Sequence, residues 1–202
     1  LLGNQAAETT AIPMIMSCRD PRSPQLGSHC LVEARHLPAQ MGAIDHWHAT
    51  RIAAGVPEGS VDLTPERALM LESGLDRLGA VDFEKGCYVG QEVTARTHYR
   101  GLVKRRLVPL TIAGDPPAID SDIAWHGTVI GKSKTAASLV GPITGKHEHK
   151  DAKSICLALL KLSDLHIILD ASANDDGLTI NGHAAALALA DWMQPLPRPA
   201  KP

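Results

Sequence analysis

Aromatic side chains are scarce in this sequence: one Phe, two Tyr and three Trp make up 3% of its 202 residues. A core must therefore be built mainly from Leu, Ala, Val and Ile, and any ring offered to a ligand comes from Trp47, Phe83, Tyr88, Tyr99, Trp125 or Trp192. Neither charge sign is in excess, with 20 Lys and Arg against 22 Asp and Glu, a net charge of -2. That balance argues against a chain whose main business is coating nucleic acid or an anionic membrane, and leaves room only for local patches. No apolar run approaches the roughly 20 residues that cross a bilayer, and the first residues carry no basic stretch followed by an apolar one, so no membrane partner is expected. The four cysteines, Cys18, Cys30, Cys87 and Cys156, form no C-x-x-C pair. Such spacing resembles neither a disulfide framework nor a zinc cage, and free thiols in a reducing compartment are expected.

What is present is an ordinary soluble composition, 44% hydrophobic and 21% charged, sufficient for one large or two modest domains. Residues 1–30, with Asp20-Pro21-Arg22-Ser23-Pro24, read as irregular or short-strand chain. The chain opens on Leu1 rather than Met, from which a shortened amino terminus is expected. Met41, Ile44, Trp47, His48 and Ile52 at helical spacing, closed by Gly55, predict a helix over 38–53. Thr64-Pro65-Glu66 reads as a helix start, with Leu69, Leu71, Leu75 and Leu78 on its buried face and Gly79 as its stop. A third helix is expected from Gly90 to Tyr99, ended by Gly101. Beyond Lys104 the texture changes to short strand-like runs at 107–112, 119–125, 128–130, 155–162, 167–169 and 178–180, which predict a small antiparallel barrel or sandwich. Residues 138–153 read as a long polar loop, and the Pro-rich tail after Gln194 as frayed.

Chemistry concentrates at Phe83-Glu84-Lys85-Gly86-Cys87-Tyr88-Val89-Gly90-Gln91-Glu92. A thiol two residues from a lysine and just ahead of a helix start is placed to favour the thiolate, and flanking glycines let backbone N–H groups approach a ligand. Gln91 and Glu92 add groups of the kind that read the ring nitrogens and amino group of a heterocycle. The plainer reading makes Cys87 a small hydrophobe buried in a turn, with Lys85 and Glu92 merely solvated.

The octet from Lys85 to Glu92 resembles the signature Lys-Gly-Cys-Tyr-x-Gly-Gln-Glu of the YgfZ-type folate-binding proteins, relatives of the glycine-cleavage aminomethyltransferase, and matches it at every fixed position. Asp20-Pro21-Arg22, Arg51 to Glu58 and Leu75-Asp76 are similar to the family's approach to that motif, and Gly101 to Leu107 to its continuation into a carboxy-terminal barrel. The resemblance covers about residues 14–136, and 154–194 more loosely. It implies an α+β fold: an aminomethyltransferase-like, ferredoxin-like α/β portion over 1–103, a β-barrel over 104–194 and a flexible tail over 195–202. It implies tetrahydrofolate as cofactor, support of iron-sulfur cluster assembly or repair as function, and assembly proteins or client iron-sulfur proteins as partners. Cys87 then takes the functional place beside Lys85, with Tyr88, Gln91, Glu92 and Arg96 around the ligand and Arg51 facing an anionic part of the folate. No turnover enzyme is implied, and the compartment is a bacterial cytoplasm or a mitochondrial matrix. Two alternatives stand: a tetrahydrofolate-dependent aminomethyl- or methyltransferase, and a shortened, non-catalytic binding module that self-associates.

Two further clusters read more plainly. His147-Glu148-His149 offers imidazoles and a carboxylate, but alternation would split them across a strand, and a solvated run is expected there. Adjacent helical positions likewise separate His46 from the residues beside it. Arg96, Arg100, Lys104, Arg105 and Arg106 form a basic stretch with His98 and Tyr99, expected to face solvent and pair with acids rather than to bind nucleic acid, with a polyglutamate tail on folate as another ligand for it.

Overall fold

The computed structural model describes residues 13–37, 42–139, 152–171 and 175–198. Strands β1 (Met14–Arg19) and β2 (Ser28–Val32) form an antiparallel hairpin whose turn is closed by Asp20 N–H donating to Gly27 C=O at 2.9 Å. Helix α1 (Ile44–Ala53) carries Ala49 and Ile52 to the core, whereas Ile44, expected on that face, is exposed. The helix ends as predicted at Gly55, whose φ of +70° lets its N–H reach Ile52 C=O while Val56 N–H reaches Arg51 C=O. A single turn, α2 (Gly59–Asp62), follows.

The helix expected from Thr64 does not form. Ala68 N–H does reach Thr64 C=O at 2.9 Å, but Glu66 at φ +62° and Gly74 at φ +76° break the run into consecutive turns. The barrel takes the carbonyls that a helix would use: Leu107 N–H bonds Glu72 C=O at 2.9 Å, and Arg106 Nη1 bonds Leu71 C=O at 2.6 Å. Leu71 and Leu78 are buried accordingly, and Leu69 is exposed. Helix α3 (Gln91–Tyr99) matches the expected span, with left-handed Gly90 before it and left-handed Gly101 after it.

From Arg105 onward β3 (Arg105–Ile112), β4 (Asp122–Trp125), β5 (Thr128–Ser138), β6 (Ser154–Lys161), β7 (Leu178–Ile180) and β8 (His183–Leu187) close into a barrel in the order β3-β6-β5-β4-β7-β8. Every pairing is antiparallel, and closure leaves no edge for another chain to extend. β3 and β6 are buried almost end to end because both of their faces are covered. Val108, Leu110, Ile112, Cys156, Ala158 and Leu160 fill the interior. The alternate residues Leu107, Ile155 and Leu157 pack outside it with Ala49 and Ile52 of α1. Gly131 permits the close approach of β5 to β6, since a β-carbon there would meet Leu159 O at 2.5 Å.

Two strand expectations need correction, and one strand was not expected. Residues 167–169 belong to helix α4 (Leu162–Asp170), where Leu162 and Leu165 are buried and Ile168 packs on the core at helical spacing. β5 runs on through polar Lys132 to Thr135, which pair with β6 or bulge beside it. β8, three of whose five residues are alanine, gave no signal in the sequence. Most of the expected loop at 138–153 lies outside the described residues, as does His147-Glu148-His149. The tail after Gln194 is not frayed where it is described: Arg77 donates to Met193 C=O at 2.7 Å and Pro195 C=O at 2.8 Å, and Leu196 is buried. Trp192 Nε1 donates to Ala54 C=O at 2.8 Å, which ties this tail to the end of α1.

Candidate functional site

The motif loop begins with an aspartate turn: Asp82 Oδ1 accepts the N–H groups of Glu84 and Lys85 at 2.8 and 3.3 Å. Phe83 then turns inward onto the barrel core and stacks on His98 of α3, ring centroids 4.0 Å apart. His98 Nδ1 lies 3.9 Å from Asp76 Oδ2, and Asp76 Oδ1 lies 3.8 Å from Nη1 of the buried Arg106. Burial lowers the Arg106 pKa from its ordinary value, with the Asp76 charge acting against that shift. A chain of contacts from barrel core to α3 thus anchors both ends of the loop, and Cys87 projects from its exposed middle. Sequence reading missed Phe83, His98 and Asp76 as supports, because no local spacing joins positions that far apart along the chain.

Lys85 Nζ sits 4.9 Å from the Tyr88 ring centroid, a cation on an aromatic face. Gln91 N–H closes the loop on Tyr88 C=O at 3.2 Å and its side chain is half-buried. Glu92 and Arg96 pair across one helical turn at 2.6 Å in solvent. The motif therefore gathers Lys85, Cys87, Tyr88 and Gln91 on one short loop, with Glu92 and Arg96 on the helix that follows. α3 itself buries no residue, and Val89, Val93 and Tyr99 stand exposed around the cysteine and along the helix.

Arg51 lies inside the fold. Its side chain is 1% exposed and its guanidinium is already engaged, by Asp62 Oδ2 at 2.6 Å and Glu58 Oε2 at 3.0 Å. It holds α1 to α2 through Nε and Nη1, and its Nη2 is buried without a hydrogen-bond partner among the described residues. A cavity of about 270 Å³ lies beside α2 and β3, lined by Thr64, Arg67, Glu72, Arg105 and Lys134 among others, and none of the motif residues lines it. Glu92 and Arg96 stand in solvent beside the exposed Cys87, whereas Tyr88 and Gln91 are half-buried. Tyr88 Oη is buried without a hydrogen-bond partner among the described residues, the one orphaned polar atom in the motif. The described residues contain no cluster of three or more ligating side chains able to hold a metal ion, and no helix among them is long and apolar enough to cross a membrane.

Fold and loop together define a class: an α+β chain with a closed six-stranded antiparallel barrel, presenting one exposed cysteine on a loop held to that barrel. Comparison with known proteins gives the class a more particular setting. The chain is 38% identical over 171 residues to the iron-sulfur cluster assembly factor IBA57 homolog, mitochondrial, of Coccidioides immitis (strain RS), a match covering 75% of this chain and 40% of that protein. It is 43% identical over 107 residues to the mouse iron-sulfur cluster assembly factor IBA57, mitochondrial, covering 51% of this chain and 30% of that protein. The human protein of the same name is 38% identical over 133 residues, 61% of this chain and 37% of its own length. The chain thus spans well under half the length of these relatives. No protein-family model matches it.

Proposed function

We propose that this chain supports iron-sulfur cluster assembly in the mitochondrial matrix, as a member of the YgfZ-type, aminomethyltransferase-like proteins, and that Cys87 is the residue through which it acts. The observation that carries the reading is the exposure of Cys87 on a loop pinned at Phe83 and at α3, a placement that suits a thiol meeting a macromolecular partner better than a small hydrophobe filling a turn. The names of its relatives support the assembly role and the compartment. The cluster is cargo here: a thiolate at Cys87 can ligate iron directly, with the remaining ligands supplied by the partner that delivers or receives it.

Tetrahydrofolate is a separate element of the proposal. Tyr88, Gln91 and Glu92 offer groups that read a heterocycle, and the half-buried Tyr88 and Gln91 are where its ring would be held. Assembly partners and client iron-sulfur proteins are the proposed macromolecular contacts.

The test is anaerobic cluster transfer from a cluster-loaded scaffold protein to an apo-ferredoxin recipient, followed by visible circular dichroism. Wild-type protein should raise the transferred fraction, and Cys87→Ser should abolish the gain with the fold intact. Equal transfer by both proteins would remove Cys87 from the mechanism. Calorimetry with tetrahydrofolate on the same two proteins tests the ligand independently. Turnover of a folate one-carbon adduct would replace the assembly reading with a transferase.

A further inference from the structure

The hairpin carries a second thiol inside an acid-base constellation that the motif does not use. Cys18 in β1 lies directly opposite His29 in β2, so their side chains leave the same face of the hairpin with β-carbons about 5 Å apart. Asp20, two residues past Cys18, shares that face, and its Oδ2 lies 2.8 Å from His29 Nε2. The carboxylate has no exposed side-chain surface, and Arg22 grips it from behind, Nε to Oδ1 at 3.0 Å and Nη2 to Oδ2 at 2.6 Å, with Arg22 N–H adding a bond at 2.9 Å. Asp20 is thus held ionised before His29 is counted.

An ionised acceptor on Nε2 fixes the imidazole tautomer. In the neutral imidazole the proton then sits on Nε2 and the Nδ1 lone pair is free; no hydrogen bond joins it to Cys18 Sγ in this structure, and rotation of the exposed thiol towards the residue across the strand pair is what brings the two together. The thiol is exposed and the imidazole is 56% exposed, so a reagent can reach both. Cys30 is the internal comparison. It pairs with Ser17 on the opposite face, Sγ to Oγ 3.5 Å, and no imidazole stands opposite it in the described hairpin.

We propose that Cys18 is a modification site, a thiol that forms mixed disulfides with low-molecular-weight disulfides, with His29 as its base and Asp20 positioning the imidazole. His29 Nδ1 takes the thiol proton, and the Cys18 thiolate attacks one sulfur of the reagent disulfide. The reagent S–S bond breaks as the new one forms, and the departing thiolate takes the proton back from His29. Protein thiol and small disulfide become protein mixed disulfide and small thiol, with no other reactant. The adduct stands beside exposed Met16 and Leu31 on the same face, so modification places a polar group on an apolar strip. This inference does not depend on the assembly reading.

The experiment exposes the full chain to oxidised glutathione and follows each cysteine by peptide mass spectrometry. Cys18 is expected to react at least about tenfold faster than Cys30, and His29→Gln to bring the ratio of the two rates close to one. His29 is a half-exposed strand residue, so the variant keeps the hairpin. Opening of the hairpin would raise both rates together, whereas loss of the base lowers only that of Cys18. A wild-type ratio near one, or a ratio unchanged in His29→Gln, overturns the proposal.

Discussion

Arg51 Nη1 donates to Asp62 Oδ2 at 2.6 Å, with the two side chains 1% and 0% exposed. The same carboxylate accepts Glu58 N–H at 2.8 Å and Thr135 N–H at 3.1 Å, so one side chain ties α1, α2 and β5 together. Removing either partner strands a buried charge, and both Arg51→Ala and Asp62→Ala are expected to cost about 3–5 kcal/mol in urea unfolding. Asp62→Ala should cost the more, because two amide groups lose their acceptor along with the guanidinium. A loss below about 1 kcal/mol for either variant would show that water reaches the pair.

Gly74 makes the second prediction. Its φ is +76°, and a β-carbon there would meet Trp192 Cη2 at 2.7 Å and Cζ3 at 2.9 Å. Trp192 is tied to Ala54 and the residues after it to Arg77, so the ring has little room to withdraw. Gly74→Ala is expected to lower stability by about 1–3 kcal/mol and to alter the near-ultraviolet signal of Trp192. Gly86 offers a control, since open space lies where its β-carbon would be.

How far the sequence could be read follows from how local each signal is. The octet from Lys85 to Glu92, the left-handed glycines bounding α3 and the leucine-rich strands of the barrel are set by neighbours in the chain, and they were legible. Residues 64–79 were not, because Thr64-Pro65 is a sound local helix start that loses to Leu107 N–H and Arg106, which claim the carbonyls of Glu72 and Leu71 from far along the chain. The pairing of Arg51 is hidden for the same reason: an arginine suited to a bound anion looks the same in sequence as one held by Asp62. In β8 alanine fills space against β3 without the branched residues that mark a strand.

Phe83 and Cys87 should separate fold from function. Cys87 is exposed, so Cys87→Ser is expected to leave the unfolding midpoint within about 0.5 kcal/mol of wild type while abolishing stimulated cluster transfer. Phe83→Ala removes the ring that packs on the core and stacks on His98, at a cost of about 2 kcal/mol. With the thiol present but its loop released, cluster transfer should fall while total thiol titration is unchanged. Full transfer by Phe83→Ala would mean that loop position is irrelevant to the role of Cys87.

Asp20 gives the pH dependence. The Arg22 side-chain hydrogen bonds, helped by Arg22 N–H and His29 and opposed by burial, hold its pKa well below the usual carboxylate range. In the unfolded chain the same group takes up a proton near pH 3.9. Between those two values the unfolded state binds more protons, so stability rises with pH across that window. The contribution of Asp20 is therefore complete above about pH 4 and is lost as pH falls towards its folded pKa. Asp20→Asn is expected to be less stable by about 1–3 kcal/mol near neutral pH, from loss of charge-assisted hydrogen bonds to Arg22, and the gap from wild type should narrow as urea midpoints are taken below about pH 4. A gap that stays constant down to about pH 2 would mean that the loss comes from turn geometry rather than from the charge on Asp20.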